Sequence, residues 1–156
     1  MRLADVLREE YIITDLEARE KKELLNEMVS VIMVIETELD RDSVLRALLE
    51  RERLGTTGIG HGVAIPHGRV KGLRDLKVFF GRSRKGVNFD SMDKLPVHLF
   101  FLIMAPENSA SAHLKVLASI SQLLKNQEFR TRLLTADTRS EIYRAIVEAE
   151  IRGSVL

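Results

Sequence analysis

Near neutral pH, histidine and cysteine are the side chains best suited to trade a proton, hold a metal or carry a transferred group, and this chain of 156 residues has four histidines and no cysteine. The missing cysteine excludes disulfides, thiolate metal sites, iron–sulfur clusters and cysteine nucleophiles together. It also suits a reducing, cytoplasmic setting. The four histidines differ in their neighbours. His98 stands inside an apolar run and reads as a core or sheet-face imidazole with a satisfied hydrogen bond. His61 lies among glycines and reads first as a solvent-facing turn residue.

His67 has the most constrained surroundings. Val63, Ala64 and Ile65 form a short extended run, Pro66 keeps Ile65 extended, and Gly68 permits an immediate turn. A ring presented there suits general-base work, metal ligation or nucleophilic attack. Pro-His-Gly is equally a good turn, and the residues alone leave both readings open. His113 follows Ser109 and Ser111, in the first turn of an expected helix, where the dipole disfavours imidazolium and leaves a neutral ring. Arg51 and Arg53 close another helix, where their charge opposes its C-terminal dipole; the same guanidinium is a fork for an oxyanion. Between them and His67 lies Gly55-Thr56-Thr57-Gly58-Ile59-Gly60-His61-Gly62, whose hydroxyls and open amides could face phosphate. This loop is neither a Gly-x-Gly-x-x-Gly fingerprint nor a Walker A loop. A metal site is weaker still, because His61 and His67 sit six apart with no carboxylate beside them until Asp75.

The elements that must position these residues follow from periodicity. Leu3, Val6 and Leu7 have helical spacing, and residues 11–14 form a β-branched and aromatic cluster that predicts a short strand. Leu24, Leu25, Met28, Val29, Ile32 and Met33 make the apolar stripe of an amphipathic helix from residue 20. Asp40 or Asp42 can cap a second helix, which runs through Arg53 and ends at Gly55. Residues 76–81 and 97–104 read as buried strands, and 82–90, with its charges and turn residues, as an exposed hairpin-like link. Ser109 or Ser111 can cap a later helix, followed by helices over 128–134 and 140–150. Helices, strands, then helices again predict an α/β fold, a single mixed β-sheet sandwiched between helices in α/β/α layers. The expected organisation is one domain over 1–150 and a frayed tail at 151–156.

Lys plus Arg total 24 against 23 for Asp plus Glu, a net charge of +1, so nothing global points to nucleic acid or a membrane surface. The longest apolar stretches, near 28–35 and 97–105, fall short of the roughly 18 residues a spanning helix needs. Acidic residues enter the N-terminus before any apolar stretch of a secretory signal forms.

The run from Leu48 through Arg51-Glu52-Arg53-Leu54-Gly55-Thr56-Thr57-Gly58 to Ile65-Pro66-His67-Gly68-Arg69 closely resembles the active-site signature of enzyme IIA of the bacterial phosphoenolpyruvate-dependent sugar phosphotransferase system. The branch it resembles is the mannitol/fructose type, which includes the nitrogen-regulatory IIA proteins. The likeness continues through the strand at 97–104, Ala105-Pro106 and the helix with His113, while residues 1–39 match loosely. It implies an α/β/α layered fold and a phosphocarrier role with no cofactor. By motif, His67 is the residue phosphorylated by the phosphocarrier HPr or its nitrogen-branch relative, with Arg51 and His113 as its partners in the site. A IIB domain, or a transporter or kinase regulated by contact, is the implied downstream partner. Thr56, Thr57, Gly58 and His61 are the expected phosphate-supporting residues; Thr56 stands where serine is usual and His61 where asparagine is common.

Two rival readings remain beside this phosphotransferase expectation. One is a regulatory binding module of the same fold that acts without phosphorylation. The other is a metal-assisted hydrolase built on His61 and His67.

Overall fold

A computed structural model describes residues 2–155, with side chains through residue 153. Among them are α1 (Leu3–Val6), a 3-10 turn (Glu9–Tyr11), β1 (Ile12–Ile13), α2 (Lys21–Ile35) and α3 (Arg41–Arg53). These are followed by β2 (Gly58–Gly60), β3 (Val63–Ala64), β4 (His67–Val70), β5 (Lys77–Val87) and β6 (Val97–Pro106). Three helices close the chain: α4 (Ala110–Leu123), α5 (Gln127–Thr135) and α6 (Arg139–Val155).

The strands form one mixed sheet in the order β1-β5-β6-β3-β2, with β4 also on β6. Because successive side chains of a strand point to opposite faces, the apolar run of β6 feeds two cores at once. Leu99, Phe101, Ile103 and Ala105 join Ile120, Leu133 and Ile146 under α4, α5 and α6. Phe100, Leu102 and Met104 join Leu24, Met28, Ile32 and Leu48 under α2 and α3. The expected α/β/α layering is therefore present. The stripe predicted for α2 is its buried face, and the cap of α3 falls to Asp40, whose side chain accepts from the Ser43 amide at 3.0 Å.

Three details differ from the sequence reading. Residues 82–87 continue β5 rather than forming an exposed link, and Arg82 is fully buried. Its guanidinium lies against the backbone carbonyls of Thr14, Leu133 and Ala136, so hydrogen bonds to a strand end and a helix end offset the desolvation of a charge. Gly68 makes no turn: it lies inside β4, paired with Met104. A Cβ there would stand 3.2 Å from the Ala47 backbone, so glycine at this position permits close packing of α3 on the sheet. Helix α6 runs through Val155, where the tail was expected, and the Arg152–Glu148 pair at 3.8 Å spans one turn of this end.

Candidate active site

Chain order along β6 sets the position of His67. Strands β3 and β4 both run parallel to β6 on its same edge, Val63 opposite Leu99 and His67 opposite Ile103, with Ile65 and Pro66 bridging the gap. Pro66 has no amide hydrogen to give, but its carbonyl accepts from the Ile103 amide at 2.9 Å. Within β4, Gly68 packs on α3 and Val70 joins the α2–α3 core. Alternation therefore turns His67 and Arg69 to the α4 side.

The His67 ring is held by its own neighbour. Nδ1 lies 2.8 Å from the carbonyl oxygen of Ile65, an acceptor only, so Nδ1 carries the proton and donates it there. That leaves the lone pair on Nε2. Arg51, at the C-terminal end of α3, donates from Nε to this Nε2 at 3.1 Å and from Nη1 to the Gly55 carbonyl at 2.8 Å. His113, in the first residues of α4, sets its ring edge-on to His67 with centroids 5.1 Å apart. Its Nε2 is buried and has no hydrogen-bond partner.

Both rings are biased to neutrality. Burial lowers the pKa of His67 below the ordinary 6.5 and the Arg51 charge adds to this, while the Ile65 carbonyl and the Glu52 carboxylate oppose it. Burial also lowers His113, helped by His67 and Arg69. The two rings and Arg51 open onto a cavity of about 630 Å³ whose wall includes Ala47, Arg69 and the leucines 54, 114 and 117. A neutral imidazole with a bare nitrogen, a guanidinium beside it and an unsatisfied second imidazole is built to receive an electrophile that brings several acceptor oxygens.

The other expected supporting residues stand elsewhere. Thr57 gives both its amide and its hydroxyl to Glu52, and the Thr56 hydroxyl is engaged with Lys21, the Phe89 carbonyl and the Gly58 amide. None of Thr56, Thr57, Gly58 or His61 lines the cavity at His67. His61 sits exposed on a left-handed turn at φ 57°, its amide 3.2 Å from Asp93 Oδ2, and lines a separate cavity of about 350 Å³ beside Lys125 and Arg130. The pairing of His61 with His67 that a metal-assisted hydrolase would use is thus not formed. Among the described residues, no three His, Asp or Glu side chains converge as metal ligands. Sequence reasoning missed Arg69, which alternation would have found had β4 been read as a strand. It also missed Glu52, whose burial no local pattern announces.

The sequence model of the phosphoenolpyruvate-dependent sugar phosphotransferase system EIIA 2 family matches residues 5–149. The chain belongs to this family. It is 38% identical over 143 residues to a nitrogen regulatory protein of Bradyrhizobium diazoefficiens, covering 92% of this chain and 93% of that one. It is 37% identical over 142 residues to the fructose-specific EIIABC component of Bacillus subtilis, covering 91% of this chain but only 22% of that larger protein. The crystal structure of the nitrogen regulatory protein IIA-Ntr from Neisseria meningitidis superposes with a TM-score of 0.86 at 35% identity, over 92% of this chain and 98% of that one. No helix among the described residues of this EIIA chain is long and apolar enough to cross a membrane.

Proposed function

We propose that this EIIA chain is a cytoplasmic phosphocarrier whose phosphoryl acceptor is Nε2 of His67, and that its main use is regulatory. The observation that carries the reading is the state of the two ring nitrogens. Nδ1 is committed to the Ile65 carbonyl, while Nε2 faces Arg51 and the open cavity. In the transfer, the Nε2 lone pair attacks phosphorus as the bond between phosphorus and the donor atom breaks, the donor leaves with that electron pair, and Nδ1 keeps its proton on the Ile65 carbonyl. Arg51 Nε–H then moves its hydrogen bond from the ring to a phosphoryl oxygen. His113 Nε2, partnerless in the resting site, gains an oxygen acceptor when it carries its proton. Phosphoryl transfer depends chiefly on positioning and charge stabilisation, and these residues supply both.

The donor is HPr or its nitrogen-branch relative, and the downstream partner is a IIB domain that accepts the phosphoryl group or a transporter or kinase that reads the phosphorylation state by contact. Exposed Leu54 (86%) and Leu114 (67%) at the cavity rim give such partners an apolar landing around the reactive nitrogen. Similarity to nitrogen regulatory proteins supports signalling as the end use. The test is intact mass after incubation with phosphoenolpyruvate, enzyme I and HPr, then brief acid treatment. One acid-labile phosphoryl group, absent in His67→Ala, is expected. No gain with either HPr relative would overturn the reading in favour of a module that binds partners without phosphorylation.

A further inference from the structure

Resting on that reading, we infer that Glu52, which lies outside the cavity, is the residue that positions both halves of the site. Its carboxylate is nearly buried, with a side-chain exposure of 4%, and sits between α2, α3 and the glycine loop. Lys21, from the first turn of α2, binds it at 3.0 Å. The Lys21 ammonium also reaches the Thr56 hydroxyl at 3.3 Å and lies 4.7 Å from the centroid of the Phe89 ring. On the loop side, Glu52 accepts the Thr57 amide at 3.1 Å and the Thr57 hydroxyl. A buried carboxylate with three such contacts is held in one place, and it holds the loop in return.

Two paths lead from this anchor to the reacting atoms. The first runs through Thr57, whose carbonyl accepts the Ile65 amide at 3.0 Å; the Ile65 carbonyl in turn takes the proton of His67 Nδ1. The second runs through the turn that Glu52 closes, where Gly55 donates to the Glu52 carbonyl at 3.1 Å and its own carbonyl receives Arg51 Nη1. The carboxylate, through Thr57, therefore fixes which His67 nitrogen is bare, while the backbone carbonyl of the same residue, through Gly55, sets where the Arg51 guanidinium stands. Both must be right within a fraction of an ångström for the phosphoryl group to be met. Lys21 is part of this device: without it the carboxylate is an unpaired charge next to the loop.

The experiment uses the full chain with Glu52→Gln, Lys21→Met and Thr57→Val. Nitrogen-15 shifts of the His67 ring report its tautomer and titration without any donor protein, phosphorylation by HPr is timed alongside, and thermal unfolding controls for folding. In Glu52→Gln we expect an Nε2–H tautomer to appear, a lower His67 titration midpoint, and phosphorylation slowed about 10–100-fold, as for lost positioning partners elsewhere. Lys21→Met and Thr57→Val should move the same readouts less, and Lys21→Met should add little to Glu52→Gln in the double variant. If Glu52→Gln fails to fold, Lys21→Met and Thr57→Val carry the test. Folded variants with the wild-type tautomer, midpoint and rate would overturn the inference. A wild-type chain that HPr leaves unphosphorylated, combined with a shifted tautomer in Glu52→Gln, would sink the phosphocarrier reading while upholding the positioning role.

Discussion

Two histidines on the same sheet, His67 and His98, are held alike and placed differently. Each is half-buried and each has Nδ1 on a backbone carbonyl, Ile65 at 2.8 Å for one and Ser83 at 2.9 Å for the other. Only the far side of the ring distinguishes them. His67 turns Nε2 toward Arg51 and a cavity, whereas His98 packs its Cε1–Nε2 edge against Gly86, where an added Cβ would fall 3.0 and 3.3 Å from those atoms. A fixed tautomer is thus common to a structural imidazole and to the proposed phosphoryl acceptor. The cation and the open space make the difference.

The sharpest way to break the comparison is exchange of each ring. His67→Gln should abolish phosphorylation with little loss of stability, and His98→Gln should leave the phosphorylation rate near wild type while lowering the unfolding midpoint. Timed phosphoryl uptake and thermal melts check both; uptake that survives His67→Gln would move the acceptor to another histidine. Arg51 is the next term. Arg51→Gln removes the donor to Nε2 and the charge that meets a phosphoryl group, and a rate loss of about 100-fold or more is expected. Arg51→Lys should recover little, because an ammonium lacks the fork that reaches Nε2 and Gly55 together. His113→Ala should cost about 10-fold, an effect read most cleanly as faster hydrolysis of the phosphorylated protein.

What the sequence made legible follows from how local each signal is. Residues 65–68, Arg51 and His113 are singled out by motif and helix position, and the structure does bring the side chains of His67, Arg51 and His113 together. The amphipathic stripes of α2 and the unbroken apolar run of β6 likewise predict the two cores they fill. Arg82 and Glu52 were out of reach for a physical reason. Their partners lie far away in the chain, Leu133 and Ala136 for Arg82 and Lys21 for Glu52, so local polarity argued for exposure where the fold has burial. The glycine loop shows the same limit: its hydroxyls read as open to a phosphate, and in the structure Glu52, Lys21 and Phe89 engage them. Gly68 reads as a turn from its neighbours and as a packing contact only once Ala47 is known to lie over it.

That last point supplies a matched pair of smaller perturbations. Gly68→Ala drives a methyl against the Ala47 backbone and pushes α3, with Arg51 at its end, off the sheet; about 1–3 kcal/mol of stability and part of the phosphorylation rate should go together. Gly86→Ala introduces a side chain at φ 93° against His98 and Pro96, and should cost stability alone. Chemical denaturation with parallel rate measurements separates them. Equal rate losses in both would show that the site responds to general loosening rather than to the position of α3.

The smallest expected effect is on pH dependence, and its sign follows from the depressed pKa values of His67 and His113. Unfolded, both rings take up protons near the ordinary 6.5; folded, they do so only at lower pH. Between those limits the unfolded chain binds more protons, so stability rises with pH through the window. Their contribution is complete above the unfolded value and is lost as pH falls toward the folded ones. The midpoint of thermal unfolding should therefore drop on acidification from pH 7.5 to about 5.5, and the drop should shrink in a His67→Gln, His113→Gln double variant. The same depression leaves Nε2 of His67 less protonated in mildly acidic solution than an ordinary imidazole would be. Phosphoryl uptake that falls off at lower pH than an ordinary imidazole titrates is the kinetic counterpart. A rate that instead tracks an unshifted histidine would mean that burial by α3 and α4 does not set the proton affinity of the reacting ring.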